Sequence, residues 1–366
     1  MDRERAAWVA LALTPGIGAS RLHALLEACH TPLGAISAPF EFLRTIPGIT
    51  VAAATALAGT TVAQGEEVIQ RTERLGGRML VPDDPDYPGG FKVISEPPPV
   101  LFLLGRVELL GTPTVAVVGS RDHTAYGAEV ARTVAWHAAA AGVAVASGMA
   151  RGLDAIAHTA ALDAGGSSVG VLGNGLGVIY PSANRRLYER MAADGLLLTE
   201  FPPGEKPHAG SFPRRNRLIS ALARVTVVVE AALGSGALIT ADAALEQGRE
   251  VMVVPGPITS PQSAGTNRLL RDGATPLLDA SDVLAYYPDV EPPARAAVLP
   301  AGVTPLPDTL PDAEYAIATL LGAEPASVDD LHLRAGRGPG EVLAALSSLE
   351  LLGLVERQAG GRWRRI

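Results

Sequence analysis

At 366 residues with a formal charge of −8, the chain is long enough for about two or three domains and too acidic to coat nucleic acid indiscriminately, although a local basic groove binds phosphate whatever the total. Hydrophobic residues make up 48% of the chain and aromatics 4%, so the cores must be built from Ala, Val, Leu and Ile, a mix suited to helices packed on a sheet. Cys29 is the only cysteine, which excludes an internal disulfide and a thiolate zinc cluster. Ala7–Leu13 is too short to span a bilayer and Met1–Arg5 precedes no cleavage pattern, so a soluble cytoplasmic protein with no membrane partner is expected. Lys92 and Lys206 are the only lysines among 30 basic residues. The rest are arginines, whose planar fork matches phosphate oxygens two at a time, although codon bias would produce the same excess.

In chain order, residues 1–80 are expected to form an all-α, SAM-like helix-hairpin-helix domain. Leu13-Thr14-Pro15-Gly16-Ile17-Gly18 before Arg21–Leu26 and Thr45-Ile46-Pro47-Gly48-Ile49 before Ala52–Leu57 repeat the order helix, Pro-Gly turn, helix. Such units can offer backbone N–H groups to phosphate; two hairpins packed as a docking domain fit the pattern equally well. Val81–Pro88 and Glu96–Pro99 read as a proline-stiffened connector into a strand at Val100–Leu104. Over residues 81–287, short apolar runs at Thr114–Val118, Val143–Ala146, Ser168–Leu172, Leu196–Thr199, Val225–Glu230 and Val251–Val254 alternate with helical stretches. That alternation predicts an α/β domain with a central Rossmann-like, doubly wound, mostly parallel sheet, whose ligands bind beyond the carboxyl ends of its strands. After a linker at 288–311, helices at Ala313–Leu321, Val328–Ala335 and Pro339–Leu352 and a hairpin around Gly360-Gly361 predict a C-terminal winged-helix domain over 312–366. Its third helix is weakly charged for reading a groove, while the wing arginines could reach the phosphates of double-stranded DNA.

The strand ends carry the chemistry. Gly119-Ser120-Arg121 follows the first central strand, Ser147-Gly148-Met149-Ala150-Arg151-Gly152-Leu153-Asp154 the second and Gly173-Asn174-Gly175 the third. These are small loops that tolerate a phosphate near a helix start. Lys206 and His208 precede Ser211-Phe212-Pro213-Arg214-Arg215-Asn216-Arg217, where Arg214 and Arg217, three apart on a helix that begins near a proline, suggest an anion site with aromatic neighbours. Phosphate contacts combined with base stacking grip single strands without sequence choice. The bland readings are glycines that only permit turns, Phe212 and Tyr180 as core or lid residues, and Asp154 with His158 as a capping acid and a hydrogen-bonded core histidine. With no third ligand nearby, no metal is expected.

These motifs, with Tyr180-Pro181…Asn184, Ser235-Gly236-Ala237-Leu238-Ile239-Thr240 and Val254-Pro255-Gly256, resemble in order the signatures of the DNA-processing protein A (DprA/Smf) family across residues 81–278. The resemblance implies a protein that binds single-stranded DNA, protects incoming DNA in natural transformation, helps load the RecA recombinase, forms a homodimer through the Rossmann-like domain and uses no cofactor. It also implies that the Gly119-Ser120-Arg121 loop and the loop before Phe212 line the DNA pocket. Ala209 and Gly210 stand where family members often carry a lysine and an aromatic. The candidate DNA-binding residues are therefore Gly119, Ser120, Arg121, Gly148, Arg151, Gly152, Gly173, Asn174, Lys206, His208, Phe212, Arg214 and Arg217. Leu238, Leu245, Leu269 and Leu270 are candidates for the dimer interface, with a core role equally open.

Fold analogy keeps one alternative, a phosphoribohydrolase-like nucleotide-processing enzyme. The sequence has no Gly-x-Gly-x-x-Gly loop, no Gly-Lys-Ser/Thr phosphate loop and no Pro-Gly-Gly-x-Gly-Thr stretch. Glu200 and Glu230, both at strand ends, are the only plausible acids for that chemistry, and neither is expected to be catalytic.

Overall fold

The computed structural model describes residues 2–290, 310–321, 325–358 and 360–365, and the chain divides into two compact units, 1–293 and 294–366. Most of the expected linker lies outside the described residues.

The first unit opens with helices Arg3–Ala12, Ala19–Cys29, Pro32–Ser37, Phe40–Leu43, Val51–Ala58 and Val62–Arg74. Local chemistry sets their starts: Asp2 accepts the Glu4 and Arg5 amides, Thr50 caps the fifth helix, and Thr61 with Gln64 forms a capping box on the sixth. The two Pro-Gly turns bend through Gly16 and Gly48, both near φ +80°, a conformation that favours glycine. Arg21 ties them together, donating from Nη1 to the Gly16 carbonyl at 2.5 Å and from Nε to the Gly48 carbonyl at 2.8 Å. This arginine thus stitches the repeat into one body. Ala6 and Val9 of the first helix share a core with Phe102, Leu172 and Leu197 of the sheet region, and Trp8 Nε1 donates to the Pro99 carbonyl at 2.8 Å.

Nine strands form one sheet: β1 (Arg78–Leu80), β2 (Leu101–Gly105), β3 (Thr114–Val118), β4 (Ala144–Ser147), β5 (Ser168–Val171), β6 (Leu196–Thr199), β7 (Val225–Val228), β8 (Glu250–Val253) and β9 (Thr275–Pro276). Their spatial order is β1-β2-β6-β5-β4-β3-β7-β8-β9. From β6 to β9 all neighbours run parallel, while β2 lies antiparallel to β6 and β1 antiparallel to β2. Strand β3 explains the two-sided burial. Ala116 and Val118 face the helices Ser211–Leu222 and Gly236–Glu246, while Val115 and Val117 face Ala125–Ala140 and Leu153–Asp163, as the two-residue period requires. Burying each such valine stabilises the fold by about 1.5–3 kcal/mol relative to exposure. Val117→Asp, which would strand a carboxylate between sheet and helices, would break this layer.

The chain leaves β3 toward β4 on one side, and β7 later takes the place on the other, so the topological switch point falls between β3 and β7. In open α/β sheets this is where a crevice opens beyond the strand ends.

The second unit contains helices Asp312–Leu320, Val328–Ala335 and Pro339–Leu351, then the hairpin β10 (Val355–Gln358) and β11 (Arg362–Arg365), with Gly360 and Gly361 at the turn. Ile317, Leu331, Val342, Leu346, Leu349 and Trp363 form its core. This is a winged helix.

Candidate nucleic-acid interface

Two adjoining cavities of about 180 and 410 Å³ lie at the switch point, and Arg121, Ala150, Phe212 and Arg215 line both. The smaller one is completed by Gly148, Met149, Arg151, Gly173, Asn174 and Tyr180. The larger runs past Ser120, Asp122, Asp154 and Asn216 to the 232–240 segment.

The Gly119-Ser120-Arg121 loop is fixed at close quarters. Ser120 N–H donates to the Glu230 carbonyl at 2.8 Å, and its carbonyl accepts the Leu153 N–H at 3.2 Å. A side chain on Gly152, at φ +80°, would strike the Ser120 and Arg121 backbone. Arg121 is thereby held on the rim, exposed, with its guanidinium 5.7 Å from the centroid of the Phe212 ring.

Phe212 is the floor of this arrangement. A Cβ on Gly173 would lie 2.9 Å from the Phe212 ring, so the absence of a side chain there lets the aromatic seat on the backbone. Tyr180, 45% exposed, lies 5.5 Å away centroid to centroid at an interplanar angle of 36°. An aromatic pair whose tyrosine is half-exposed, with a cation over the phenylalanine ring, is a surface a planar base can stack against.

The 147–152 loop, read from the sequence as small and tolerant of a phosphate, is held by side chains that bond its backbone. Asp154 accepts the Gly148 N–H at 3.1 Å and the Ala150 N–H at 3.4 Å, His158 Nε2 accepts the Met149 N–H at 3.4 Å, and Asn184 donates to the Met149 and Ala150 carbonyls. Those bonds hold Met149 at φ +54°, a conformation that costs about 1–3 kcal/mol and persists only where its surroundings over-determine it. Asn174 is likewise occupied, donating to the Gly175 and Val178 carbonyls. These residues shape the crevice; their amides are not available to a phosphate. His158 is therefore the hydrogen-bonded core histidine, whereas Asp154, expected as a helix cap, lies in the first turn behind the N-cap Gly152 and instead accepts the loop amides.

Beneath the loop, Arg215 is buried, donating to the carbonyls of Gly148 (2.5 Å) and Val171 and to Asn216 Oδ1. Burial lowers its pKa to about 10, Asp154 opposes that shift, and the Arg121 charge adds to it, so it remains cationic at neutral pH. Burial raises the Asp154 carboxyl, against the pull of Arg215. His158 is pushed down to about 3 by burial and then by Arg215. Since the Ser168 hydroxyl donates to the Val145 carbonyl, His158 Nδ1–H donates to Ser168 Oγ at 2.7 Å, which fixes the neutral tautomer.

Arg214 and Arg217 lie elsewhere. Both donate to the same Glu200 oxygen, at 2.9 and 2.8 Å, and Arg214 also covers the Phe201 ring. Neither lines the cavities. The reason is helical phase. Phe212, Arg215, Asn216 and Ile219, spaced i, i+3, i+4, i+7, form the face toward the crevice, and 214 and 217 fall roughly opposite. Arg215 is thus the residue that sequence reasoning passed over. Lys206 and His208 are exposed outside the cavities, His208 edge-on to Phe201. Among the described residues, Arg121 and Arg151 pair with no acid.

Of the four leucines singled out for a dimer, Leu245 is 55% exposed, while Leu238, Leu269 and Leu270 are half-buried against the sheet core. In the winged helix, the exposed face of the third helix carries Glu341, Leu343, Glu350 and Leu351, with no cation. In the wing, Arg364 pairs with Glu356 and Arg357 stacks on Trp363. No group of three or more His, Cys, Asp or Glu able to hold a metal occurs among the described residues, and no helix there is long and apolar enough to cross a membrane.

Fold and site together define a Rossmann-like α/β protein with an anion-receptive, aromatic-floored crevice at its switch point and a winged helix as its second unit. The chain belongs to the DNA recombination-mediator protein A family, whose model matches residues 78–288, and the model of the DprA winged helix domain matches 301–361. It is 41% identical over 305 residues to a putative DNA processing protein DprA of Mycobacterium tuberculosis, covering 80% of this chain and 77% of that one. The structure of DNA processing protein A from Streptococcus pneumoniae superposes with a TM-score of 0.67 at 31% identity, covering 78% of this chain and 98% of that one. The protein of that name from Helicobacter pylori, described for its single-stranded DNA binding mode, superposes at 0.54 and 31% identity, covering 59% and 97%.

Proposed function

We propose that this protein binds single-stranded DNA in the switch-point crevice, with phosphates on Arg121 and Arg151 and a base against Phe212 and Tyr180. One observation carries the reading: two exposed arginines without an acidic partner and a buried third, Arg215, surround an open aromatic pair. Cations for the backbone and a π-face for the bases are what sequence-tolerant strand binding needs. The single-stranded DNA binding of the Helicobacter pylori relative supports the same ligand. Lys206, His208 and Arg214, outside the cavities, extend the path for a strand that continues past the crevice.

The family's DNA-processing names support the role we infer for the chain, which is to shelter incoming DNA during natural transformation and assist RecA loading, as a cytoplasmic homodimer joined around the exposed Leu245. It does so without catalysis. Glu200 is consumed by Arg214 and Arg217, and Glu230 by Thr124, so both acids that the nucleotide-cleaving reading would call on are already engaged. The winged helix, lacking cations on its third helix, contributes duplex contacts through the wing alone.

The test is fluorescence anisotropy of a labelled unstructured strand titrated with full-length protein across a salt series, with a duplex competitor. A steep salt dependence and preference for the single strand are expected. Strand affinity left unchanged by Arg121→Glu would move the site away from the crevice. Light scattering of Leu245→Glu, read against strand affinity, tests the dimer separately.

A further inference from the structure

We propose that Glu230 is a built-in anion that fills the phosphate position of this Rossmann-like sheet and so turns free nucleotides away from the crevice. In doubly wound sheets the helix that follows the first central strand begins at the switch point, and its unpaired N–H groups and dipole hold a nucleotide's phosphate. Here that helix is Ala125–Ala140, which follows β3. Its N-cap, Thr124, donates its N–H to one Glu230 carboxylate oxygen at 2.9 Å and its hydroxyl to the other at 2.5 Å. The carboxylate lies so close to the first turn that any side chain at Gly127 would collide with it. Glu230 comes from the end of β7, across the switch point, is 2% exposed, and its carbonyl also receives the Ser120 N–H.

No cation pairs with this carboxylate among the described residues. What compensates its burial is the helix start and the Thr124 donors, the same groups that would otherwise hold a phosphate. A nucleotide phosphate arriving there meets a buried negative charge in its place. A strand gripped by Arg121 and by Arg151, which line the cavities where Thr124 and Glu230 do not, does not need that position. That last step rests on the proposed strand site; the filled phosphate position does not.

The experiment uses full-length Glu230→Ala and Glu230→Ser, with inorganic phosphate and adenosine monophosphate as probes and chloride at matched ionic strength as control. Glu230→Ala should melt below the wild type. Phosphate or the nucleotide should then raise its melting temperature by several degrees over chloride, as mass action on a vacated anion site requires, with no such rise in the wild type. In Glu230→Ala, the nucleotide should also compete with a labelled strand at least about tenfold more strongly than in the wild type. A folded Glu230→Ala that phosphate stabilises no more than chloride overturns the proposal. If the alanine variant does not fold, Glu230→Ser, which vacates most of the position and keeps a hydroxyl toward Thr124, takes its place: an anion-specific rise supports the proposal and none overturns it. Loss of strand binding by the wild type would sink the strand reading while leaving the phosphate measurement decisive for Glu230.

Discussion

Phe212→Ala separates stacking from charge in the crevice. The ring has Gly173 beneath it, Tyr180 beside it at 5.5 Å and the Arg121 guanidinium over it at 5.7 Å. Removing it forfeits one stacked base, about 1–3 kcal/mol, and the cation–π contact that orients Arg121, about 0.5–1 kcal/mol. Together these amount to a loss of roughly ten- to several-hundred-fold in strand affinity. No phosphate contact disappears, so the slope of log affinity against log salt should stay unchanged. Arg121→Ala should behave in the opposite sense, flattening that slope by about 0.7, the value for one phosphate on a single strand. Phe212→Leu controls for packing, since it restores most of the apolar volume without a π-face and should bind as poorly as the alanine variant. Anisotropy of a labelled strand at four or more salt concentrations, with urea unfolding of each variant, reads both quantities. If both Phe212 variants fold and lose less than about threefold, Phe212 is a lid over a core and the stacking argument is wrong.

Three further outcomes follow from the same network. Gly148→Ala places a Cβ 2.7 Å from both Arg215 Nη2 and Asp154 Oδ2, an overpacking expected to cost about 1–3 kcal/mol, seen as a lower urea midpoint at unchanged m-value. The His158 imidazole holds a pKa of about 3 in the folded chain against 6.5 when exposed. The unfolded chain therefore takes up a proton below pH 6.5 that the folded chain refuses, and stability should fall by about 1.4 kcal/mol per pH unit as pH drops from there toward 3; in His158→Gln that part of the slope should vanish. Arg217→Glu would set two carboxylates together where Glu200 is 1% exposed and Arg217 15%, which should destabilise by several kcal/mol. Arg214→Ala, at a 53% exposed side chain, should cost about 1 kcal/mol or less. Equal and small effects of the two substitutions would show that Glu200 does not organise this edge.

The sheet was legible because strands buried on both faces read as short apolar runs, and six of those runs coincide with β3 to β8 to within a residue or two. Strands β1 and β9 were not, since three and two residues at a sheet edge give no period to count. The reversal of β2 against β6 was also hidden, because pairing direction depends on where the chain crosses and not on composition. In the site, Arg121 and Arg151 could be read from their places at strand ends. Arg215 could not be read from spacing alone: Arg214 and Arg217 are also three apart, and only the helical phase set by Phe212 tells which arginine faces inward. How the 147–152 loop is held was hidden for a related reason: Asp154 and His158, which accept its amides, lie on the following helix in rotamers that only packing determines.

A net charge of −8 is compatible with anions entering the crevice because three of the acids at the strand ends are already engaged. Glu200 is held by two arginines, Glu230 by a helix start and Asp154 by backbone amides. Among the acids lining the cavities, Asp122 alone is exposed, and it forms no ion pair with Arg121. The field a strand would meet over these few ångströms is therefore set by Arg121, Arg151 and the buried Arg215 against the one exposed carboxylate of Asp122, while distant surface carboxylates are screened within about 8–10 Å at ordinary salt. Affinity should then track the local cations and collapse with added salt. On the proposed strand site, the net negative charge elsewhere should disfavour polyanions and so direct binding to the crevice instead of opposing it.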